Sequence, residues 1–387
     1  MSLPKINIGL IGYKFMGKAH SQAWRTVSRF FDLAAEPVMK VVCGRKADAV
    51  AQFAEQWGWE NSSADWNDVV RRDDVDLVDI STPGHTHAEI AIAAAQSGKH
   101  VFCEKPLANS LTEARKMLTT VREAGVKHMI NFNYRRCPAV ALAKQMIGAG
   151  ELGEIRHYRA TYLQDWLVDP EFPMNWRMRK ETAGSGAHGD LGAHAVDLAH
   201  NLVGELSEVD GTKKTFITER PAEGTSDGLT ATAGEGVEQV TVDDSSLFIA
   251  QFASGASGSF EATRLAPGRK NFNRFEINGS KGSLVWCFEQ LNELQFYSTS
   301  DPSTVSGFRT IIATEGDHPY AGSWWPPGHM LGYDHTFANV ASDLLQDIAL
   351  DRPCQPDFSD GVRCSAVLDA VDKSMESRSW AQVEAID

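Results

Sequence analysis

The chain has 387 residues and a formal net charge of -14, because its 51 aspartates and glutamates outnumber its 37 lysines and arginines. A field of this sign repels phosphate backbones, which argues against nucleic acid as a partner. With 42% apolar residues the composition is that of a folded protein, and the length predicts two domains rather than one core.

The cysteines and the apolar runs bear on where the protein resides. Six cysteines are scattered singly with no short paired spacing, which argues against a zinc knuckle or a disulfide framework and fits a reducing compartment. The sequence passes from Met1 directly into a predicted strand, and no apolar run approaches the roughly 20 residues of a membrane span. We therefore predict a cytoplasmic protein with no targeting segment and no membrane contact.

The first third of the chain alternates short apolar runs with amphipathic helical patterns. Strands are predicted for INIGLI, VMKVVCG, VDLVDIST and KHVFCE, and VKHMINFNYRRCP adds one more. Helices between them end at glycines, as in SLTEARKMLTTVREAG, where Ser110 and Glu113 form a capping box and Gly125 ends the helix. This βαβ order predicts a parallel sheet, in a first domain of residues 1–133.

The pattern changes after the first domain. A helix predicted for AVALAKQMIGAGELG is followed by β-prone runs joined by glycine-containing turns, in LFIAQFASGASGSFEATR and NRFEINGSKGSLVWCFEQLNELQFYS. We expect residues 134–387 to form a mostly antiparallel sheet with a helix or two packed on one face. The segment ERPAEGTSDGLTATAGEGVEQ is rich in glycine, threonine and charge, and is predicted to be a surface loop.

The stretch IGLIGYKFMGKAH resembles the dinucleotide-binding turn G-x-G-x-x-G. Gly12 and Gly17 supply its first and third glycines, whereas Lys14 occupies the second position. The Lys14 ammonium can pair with a phosphate while backbone N–H groups and the helix N-terminus still face the anion. We therefore expect Lys14, Phe15 and Met16 to contact a cofactor along with the two glycines. The alternative is a strand, turn and helix with incidental glycines.

Two later segments follow predicted strands, where an open α/β sheet binds its ligands. STPGHTH comes after one strand and is expected to pass the cofactor, and EKP follows the next. A lysine at a strand end, between a carboxylate and a proline, is hard to explain as packing, although an exposed turn lysine is the alternative. The residues expected to contact the cofactor are Ser81, Thr82, Pro83, His87, Glu104 and Lys105.

The end of the second strand bears on the choice of cofactor. An NAD-preferring turn usually carries an acid there for the ribose hydroxyls, but this chain has CGRK. Arg45 and Lys46 can pair with a 2′-phosphate, so the sequence favours NADP over NAD by a small margin. The alternatives are that Arg45 stacks on the adenine of NAD or faces water.

Histidines and aspartates are concentrated in AGSGAHGDLGAHAVDLAHNLVG. If a helix begins near Gly189, then Asp190 and His194 share one face and Asp197 lies on a neighbouring line. A carboxylate one turn from an imidazole can orient it and keep its proton affinity near neutrality, as a general base requires. Two alternatives are a metal site made of these residues with His188, and a polar helix face without chemistry. No metal is predicted, because hydride transfer to a nicotinamide requires none.

In combination these motifs resemble the Gfo/Idh/MocA oxidoreductases, the family of glucose-fructose oxidoreductase and inositol dehydrogenase. IGYKFMGKAH, STPGHTHAEIAIAAAQSGKHVFCEKPLA, GDLGAHAVDLA and FEINGSKGSLVW occur in the order seen in that family and span nearly the whole chain. The resemblance implies an α/β protein with an N-terminal Rossmann domain and a C-terminal α/β domain containing a large, open, mostly antiparallel sheet. It also implies that Lys105 is the active-site lysine, that Asp190 assists, and that His194 is the catalytic histidine.

Within the family, GKAHSQAW, FNYRRCPAVALAK and TYLQDWLVDP look most like the levoglucosan dehydrogenase and inositol-dehydrogenase-like branch, which oxidises a secondary ring hydroxyl of a sugar or cyclitol. Polyols need several donors and acceptors, with an aromatic plane against their C–H face. Trp166 as a core residue and His335 as a helix cap are the alternatives. By this resemblance the substrate site includes Tyr134, Gln164, Asp165, Trp166 and either Arg177 or His335.

These expectations combine into one reaction. His194, steadied by Asp190, withdraws the hydroxyl proton while Lys105 hydrogen-bonds the same oxygen and joins the proton relay, and NAD or NADP takes the hydride. Two other functions are a glycosidase that retains NAD and oxidises its substrate transiently, and a non-catalytic sugar sensor, which has no use for a proton relay. Because sheet edges are usually covered and relatives pair sheet faces, a homodimer or homotetramer is expected.

Overall fold

The computed structural model describes residues 3–226 and 230–386. The strands of its first sheet are β1 (Lys5–Ile11), β2 (Glu36–Cys43), β3 (Asn61–Ser63), β4 (Leu77–Ile80), β5 (His100–Cys103) and β6 (His128–Ile130). They pair in parallel in the order β3-β2-β1-β4-β5-β6. Because the strand order reverses between β1 and β4, their carboxyl ends open the crevice in which doubly wound sheets bind ligands. The predicted Rossmann arrangement is confirmed.

Helices connect these strands: α1 (Phe15–Phe30), α2 (Ala47–Trp57), α3 (Trp66–Arg71), α4 (His87–Gln96) and α5 (Leu111–Ala124). The ends of α5 follow the sequence signals. Ser110 Oγ accepts the backbone N–H of Glu113 at 3.2 Å, and Gly125 ends the helix in the left-handed conformation, with a φ of 65°. Among the described residues, none of the helices is long and apolar enough to cross a membrane.

The second domain begins with α6 (Pro138–Gly148). Its strands are β7 (Ile155–Leu163), β8 (Leu206–Lys214), β9 (Glu219–Ser226), β10 (Ala231–Gln239), β11 (Ser245–Phe252), β12 (Ser257–Thr263), β13 (Phe272–Gly279), β14 (Gly282–Cys287), β15 (Glu293–Ser298), β16 (Arg309–Ile312) and β17 (Ala381–Gln382). All except β9 and β10 form one sheet, in the order β16-β15-β14-β13-β7-β12-β11-β8-β17. Only β7 and β12 pair in parallel, so the sheet is mostly antiparallel, as predicted.

Helices cover one face of the large sheet. The remaining helices are α7 (Lys180–Ala183), α8 (Ala187–Asp190), α9 (Gly192–Leu202), α10 (Tyr333–Ala349) and α11 (Phe358–Ser377), and α6, α9 and α11 pack against the sheet. Side chains of β7 alternate accordingly: Tyr158, Ala160 and Tyr162 are buried beneath the helices, whereas His157 and Arg159 are exposed on the other face.

The last long helices return to the first domain. Helix α10 packs along α1, and Phe337 and Leu344 share an apolar core with Trp24 and Leu77. Helix α11 packs against both α5 and β8, which belong to different domains. The chain leaves the parallel sheet after β6, and the C-terminal helices join the two domains, so the boundary after residue 133 stays a prediction.

The segment 219–239 is not the predicted surface loop. Its described residues form a two-stranded antiparallel ribbon of β9 and β10, and residues 227–229 lie outside the described part of the chain. Glycines permit the close pairing, since an added Cβ at Gly224 would lie 2.9 Å from the Thr232 carbonyl oxygen. Arg179 then holds both strands by ion pairs of 2.8 Å to Glu223 and to Glu238. Strand pairing across the ribbon therefore determines the structure of this segment, although its composition is typical of turns.

Candidate active site

The turn between β1 and α1 contains two glycines that a side chain would displace. Gly12 has a φ of 112°, and an added Cβ would lie 2.7 Å from the Ser81 carbonyl oxygen. An added Cβ at Gly17 would collide with the Gly12 carbonyl oxygen. Lys14 is the N-cap residue of α1, and its φ of -79° is negative, as residues with a side chain prefer. The turn therefore needs glycine at its first and third motif positions but not at Lys14.

The start of α1 suits an anion. The helix has 16 residues and no acidic residue in its first turn, so its N–H groups and its dipole present positive potential to the crevice. Lys14 and Phe15 are exposed there, and the Phe15 ring stacks on Tyr333 of α10 with 6.2 Å between centroids. Met16 is partly buried. This edge of the crevice fits a pyrophosphate.

The loop after β4 lies against the turn. Ser81 Oγ donates to the Gly12 carbonyl oxygen at 3.0 Å, and Thr82 and Pro83 continue along the crevice. His87 faces the other way: it is 1% exposed, with Nε2 2.8 Å from the Thr82 carbonyl oxygen and Nδ1 2.9 Å from that of Pro106. His87 therefore braces two loops from behind, away from the surface where a cofactor contact was predicted.

Charges of both signs surround the carboxyl end of β2. Arg45 and Lys46 are exposed there, at the start of α2. Asp65 and Asp68, at the start of α3, lie close by: burial, and then the charges of these two carboxylates, raise the pKa of the Cys43 thiol to about 12. The end of β2 thus combines cations that suit a 2′-phosphate with carboxylates that repel one.

A buried cluster of charges lies beneath the loops after β4 and β5. His20 of α1 is 1% exposed; its Nδ1 lies 2.8 Å from Asp79 Oδ1, and its Nε2 lies 2.8 Å from Glu104 Oε1. Trp24 Nε1 donates to Asp79 Oδ2 at 2.8 Å, and Asn131 Nδ2 donates to Glu104 Oε1 at 2.6 Å. Burial opposes protonation of His20, but the two carboxylates outweigh it and raise its pKa to about 10. Glu104, predicted to contact a cofactor, is engaged with this histidine.

Lys105 and Asp190 meet across the two domains. Lys105 Nζ donates to the backbone oxygen of Asp190 at 2.8 Å and to its Oδ1 at 2.9 Å. Arg264, which follows β12 and is 1% exposed, donates from Nη2 to Asp190 Oδ2 at 2.8 Å. Burial disfavours the ionised carboxyl, but the charges of Lys105 and Arg264 hold the pKa of Asp190 well below its usual value. Asp190 is therefore an anion that fixes the Lys105 ammonium.

The predicted single helix from Gly189 is two helices. Helix α8 ends at Asp190, and α9 begins at Gly192 after Leu191, whose φ of -100° is wider than that of a regular helix although the residue stays in the right-handed helical region. Asp190 is the last residue of α8, and its carboxylate contacts Lys105. Among the described residues no hydrogen bond joins Asp190 to His194, so the expectation that Asp190 orients the imidazole is not supported by their placement.

Aromatic rings hold His194 instead. The imidazole is 5% exposed and packs on Tyr134, with 4.4 Å between ring centroids, and meets the edge of Phe132 at 6.4 Å. Burial, and then the positive charge of Lys105, hold the pKa of His194 well below its ordinary value. The ring is therefore neutral at physiological pH and able to accept a proton.

The predicted substrate residues Tyr134, Gln164 and Trp166 lie along one chain of hydrogen bonds. Tyr134 OH donates to Tyr162 OH at 2.8 Å, and Tyr162 OH donates to Asn271 Oδ1 at 2.7 Å. Gln164 Nε2 donates to the same Asn271 oxygen at 2.8 Å, and Trp166 Nε1 donates to Gln164 Oε1 at 3.0 Å. The chain fixes donors and acceptors along the wall that begins beside His194.

Other predicted substrate residues are placed differently. Asp165 accepts from Lys270 Nζ at 2.7 Å, on the loop after β12. His335 lies in the first turn of α10, where Nδ1 accepts a backbone N–H and the ring meets Trp324 at 4.5 Å, so it caps a helix, which was the alternative. Arg177 stacks on Trp176 and lies close enough to Asp190 and Arg264 to share their charge cluster. Of these three, Arg177 alone belongs to the Lys105 cluster.

The histidines and aspartates considered as a metal site do not converge. The His188 ring lies between Ser246 Oγ and the Leu368 carbonyl oxygen, and Asp197 pairs with Arg135. Within residues 3–226 and 230–386, no group of three or more histidines, cysteines or acids is placed to hold a metal ion.

Sequence reasoning did not single out His20, Tyr162, Arg264 or Asn271. His20 stands at the end of the quoted dinucleotide stretch, inside α1, and Arg264 ends a β-prone run, so a charged residue at a strand end was an available signal for Arg264 alone. Tyr162 lies on the buried side of β7, which the alternation of that strand indicates. Nothing in the sequence marks Asn271.

Two family models match the chain. One, described as an oxidoreductase family with an NAD-binding Rossmann fold, matches residues 6–132. The other, the GFO/IDH/MocA C-terminal domain, matches residues 140–285. The two matches cover the first sheet and most of the second.

Full-length relatives agree. Levoglucosan dehydrogenase of Pseudarthrobacter phenanthrenivorans is 45% identical over 99% of this chain and 100% of its own. The crystal structure of an oxidoreductase domain protein from Kribbella flavida is 51% identical, with a TM-score of 0.95 over 99% of this chain and 100% of that one. Levoglucosan dehydrogenase in complex with NADH and levoglucosan is 44% identical, with a TM-score of 0.93 over the same shares. The chain therefore belongs to the GFO/IDH/MocA family and is an NAD(P)-dependent oxidoreductase.

Proposed function

We propose that this enzyme oxidises a secondary ring hydroxyl of levoglucosan or a related anhydrosugar, with NAD as the acceptor. The observation that carries the proposal is the contact between Lys105 of the first domain and Asp190 of the second, beside the neutral His194 ring. When an ammonium and an imidazole face the same position, the ammonium can hydrogen-bond an alcohol oxygen there and the imidazole can accept its proton. The full-length likeness to levoglucosan dehydrogenase supports the substrate class.

The residues at the carboxyl edge of the first sheet fit a dinucleotide. Gly12 and Gly17 keep side chains away from the place where a pyrophosphate approaches the backbone, and the N-terminus of α1 attracts its charge. Ser81, Thr82 and Pro83 line the loop beyond. When bound, NAD supplies the acceptor for the hydride that leaves the carbinol carbon.

Three side chains divide the work at the alcohol. His194 accepts the hydroxyl proton, since burial and the Lys105 charge keep its ring neutral. Lys105 donates a hydrogen bond to the same oxygen and stabilises the charge that develops as the proton leaves. Asp190 holds Lys105 through its two contacts with the ammonium, and its negative charge opposes the lowering of the His194 pKa without a hydrogen bond to that ring. Reduction of the ketosugar uses the same groups in reverse.

The hydrogen-bonded chain on the large sheet supplies the sugar side of the cleft. Tyr134, Tyr162 and Asn271 offer hydroxyl and amide groups at fixed spacing, and Trp166 adds an aromatic plane. A cyclic polyol needs this combination, because its hydroxyl edge seeks donors and acceptors while its C–H face packs on a ring. We assign substrate binding to this wall.

NAD is the cofactor we propose, and the small preference for NADP in the sequence analysis is not supported by the comparisons. Levoglucosan dehydrogenase structures contain NADH, and Asp65 and Asp68 oppose a 2′-phosphate near β2. An Arg45→Ala variant tests this choice through the KM values of both cofactors. We expect the KM for NAD to change by less than about threefold in the variant. If the parent enzyme used NADP and the variant lost that activity, the choice of NAD would be contradicted.

A homodimer or homotetramer remains our expectation for the assembly. Leu247 and Ile249 of β11 are about half exposed, on the face of the large sheet opposite the helices. Light scattering coupled to size-exclusion chromatography measures the oligomeric state directly, and a monomer would contradict the expected dimer or tetramer.

Cytoplasmic location likewise stays a prediction from the scattered cysteines, all of which are free.

A spectrophotometric screen tests the function. Levoglucosan, common monosaccharides and inositols are each offered with NAD and with NADP, and reduced nicotinamide is followed over time. We expect steady NADH accumulation with levoglucosan and slower turnover of the other sugars. Sugar release from a glycoside without net NADH would indicate the NAD-retaining glycosidase, and sugar binding without turnover would indicate the sensor. Oxidation of inositols alone would overturn the anhydrosugar assignment.

A further inference from the structure

We propose that His20 is a positioning residue for hydride transfer, acting as a buried cation that clamps Asp79 to Glu104 and thereby fixes the backbone of Lys105. The inference rests on the proposed dehydrogenase function. It extends that function to a residue of α1 that is 1% exposed and lies beneath the loops after β4 and β5.

The geometry of the clamp favours a charged ring, because burial opposes ionisation of Glu104 but the hydrogen bond and charge of His20 outweigh it and lower the Glu104 pKa, which leaves the proton on the imidazole. Both nitrogens of His20 lie 2.8 Å from carboxylate oxygens, one of Asp79 and one of Glu104. A neutral imidazole carries hydrogen on one nitrogen only, so its other nitrogen would face a carboxylate lone pair to lone pair. Only the imidazolium donates to both. Asp79 and Glu104 are themselves buried, and although neutral groups also donate to them, His20 is the cation in contact with both carboxylates.

The clamp reaches Lys105 through Glu104. While Oε1 of Glu104 accepts from His20 and Asn131, Oε2 accepts the backbone N–H of Lys105 at 3.1 Å. Lys105 then extends its ammonium to Asp190 in the other domain. A shift of the Glu104 carboxylate therefore moves the backbone from which the Lys105 ammonium is presented, and displacements of about 1 Å in a reacting group cost large factors in rate.

The clamp also ties together the elements that surround the crevice. His20 belongs to α1, Asp79 to β4, Glu104 follows β5, and Asn131 follows β6. Water is kept out by Phe102 of β5, whose ring centroid lies 5.2 Å from that of His20. One imidazolium thus sets the relative positions of the dinucleotide turn and of both loops that follow it along the sheet.

The charged groups that face His20 determine how the site responds when the imidazole is replaced by a neutral side chain. Asp79 and Glu104 carry the negative charges, and Lys105 lies beside Glu104. The neutral amide Nδ2 of Asn131 lies 3.3 Å from His20 Nε2, and the rings of Phe102 and Phe337, from β5 and α10, pack on the imidazole. A neutral residue at position 20 leaves two buried carboxylates without a cation between them. One of them then binds a proton at low pH and ionises as the pH rises, which forces the pair apart.

The test compares His20→Gln with a milder variant and a control. Trp24→Phe removes one hydrogen bond to Asp79 but keeps the imidazolium. His128→Gln replaces a histidine at the amino end of β6, the far end of the same sheet from the crevice. For His20→Gln we expect kcat to fall about tenfold or more while the sugar KM stays within about threefold, with a larger deuterium isotope effect from substrate labelled at the carbinol carbon. We expect the kcat of Trp24→Phe to lie between those of His20→Gln and the parent, and the kcat of His128→Gln to equal that of the parent.

The pH profile separates positioning from simple loss of stability. We expect the kcat of His20→Gln to decline relative to the parent as the pH rises above the ordinary carboxyl range, because its unpaired carboxylates ionise. An unchanged kcat and isotope effect, with only a lower melting temperature, would overturn the proposal.

A direct measurement on the parent protein covers the case in which His20→Gln does not fold. Nitrogen-15 labelling of the histidines should show both ring N–H protons of His20 at pH 8, and these protons are assigned by their proximity to the Trp24 indole N–H, which shares Asp79 Oδ2 with His20. One ring proton would overturn the clamp. This result does not depend on turnover, so it stays informative if the sugar screen fails.

Discussion

The cofactor half and the substrate half of the cleft are built in different ways. In the assignment that we propose, the cofactor half depends on backbone fit, at Gly12 and Gly17, and on the buried charges around His20. The substrate half depends on side chains: stacked rings around His194 and a chain of hydrogen bonds that includes Tyr162. Where binding depends on close approach of the backbone, few substitutions are tolerated. Where it depends on side chains, substitutions can change the preferred sugar without disrupting the fold.

Replacing Lys105 tests whether the two halves act together. Lys105→Met removes the ammonium that joins them, and we expect kcat to fall by about 10³-fold while NAD still binds. Stopped-flow turnover and calorimetric titration with NAD measure the two quantities. Lys116→Met, an exposed lysine on α5, is the matched control and should keep the parental rate. A Lys105→Met enzyme within tenfold of the parent would show that the halves work without this link.

Adding one methyl group tests the cofactor half by itself. Gly12→Ala places a Cβ against the Ser81 backbone at a φ of 112°, so we expect NAD to bind about 10- to 100-fold more weakly, from roughly 1–3 kcal/mol of strain. Calorimetric titration gives the Kd. Gly58→Ala, which also has a positive φ but no neighbour within 4 Å of its Cβ, should lower the melting temperature without changing the Kd. Equal effects of the two variants would contradict the backbone-fit account.

The pH dependence of turnover tests the base in the substrate half. His194 must be neutral to accept a proton, and its pKa lies below the ordinary 6.5, so the acid limb of kcat/KM should begin below pH 6.5 and fall about tenfold per unit. Because the Lys105 charge contributes to this lowering, the limb should move toward neutral pH in Lys105→Met. A limb centred at or above pH 6.5 in the parent would assign the base to another group.

Removing one hydroxyl gives the smallest expected effect. Tyr162→Phe breaks the link between Tyr134 and Asn271, and we expect the sugar KM to rise about fivefold, from about 1 kcal/mol, with the NAD KM unchanged. Tyr158→Phe, on the same face of β7, loses a hydrogen bond to a backbone oxygen and should affect stability alone. If the NAD KM rose instead, the division of the cleft into two halves would fail.

The two halves also differ in how far the sequence predicts them. Gly12, Gly17 and Lys105 stand in short local motifs at strand ends, and these local patterns suffice because each strand end in a parallel sheet faces the same edge. The partners of the substrate half come together only in the fold: Arg264 meets Asp190 across 74 positions, and Gln164 meets Asn271 across 107. No local pattern contains those pairings.

The misplaced expectations have the same origin. Asp190 and His194 share a face only on an unbroken helix, whereas the chain forms two helices that meet at Leu191, and Asp190 contacts Lys105 of the other domain. The segment 219–239 has the composition of a loop, but pairing of β9 with β10 determines its structure. Long-range contacts outweigh local propensity at each of these places.

The parallel pairing of β7 with β12 affects how the protein is made. Strand β7 ends at Leu163, yet both of its neighbours, β12 and β13, begin only at Ser257 and Phe272. On a ribosome the central strand of the large sheet therefore emerges long before either neighbour, with the apolar side chains Tyr158, Ala160 and Tyr162 uncovered. Such late, non-local closure slows folding and leaves a nascent edge open to aggregation. Pairing of the central strand is therefore a late step in the folding of this enzyme.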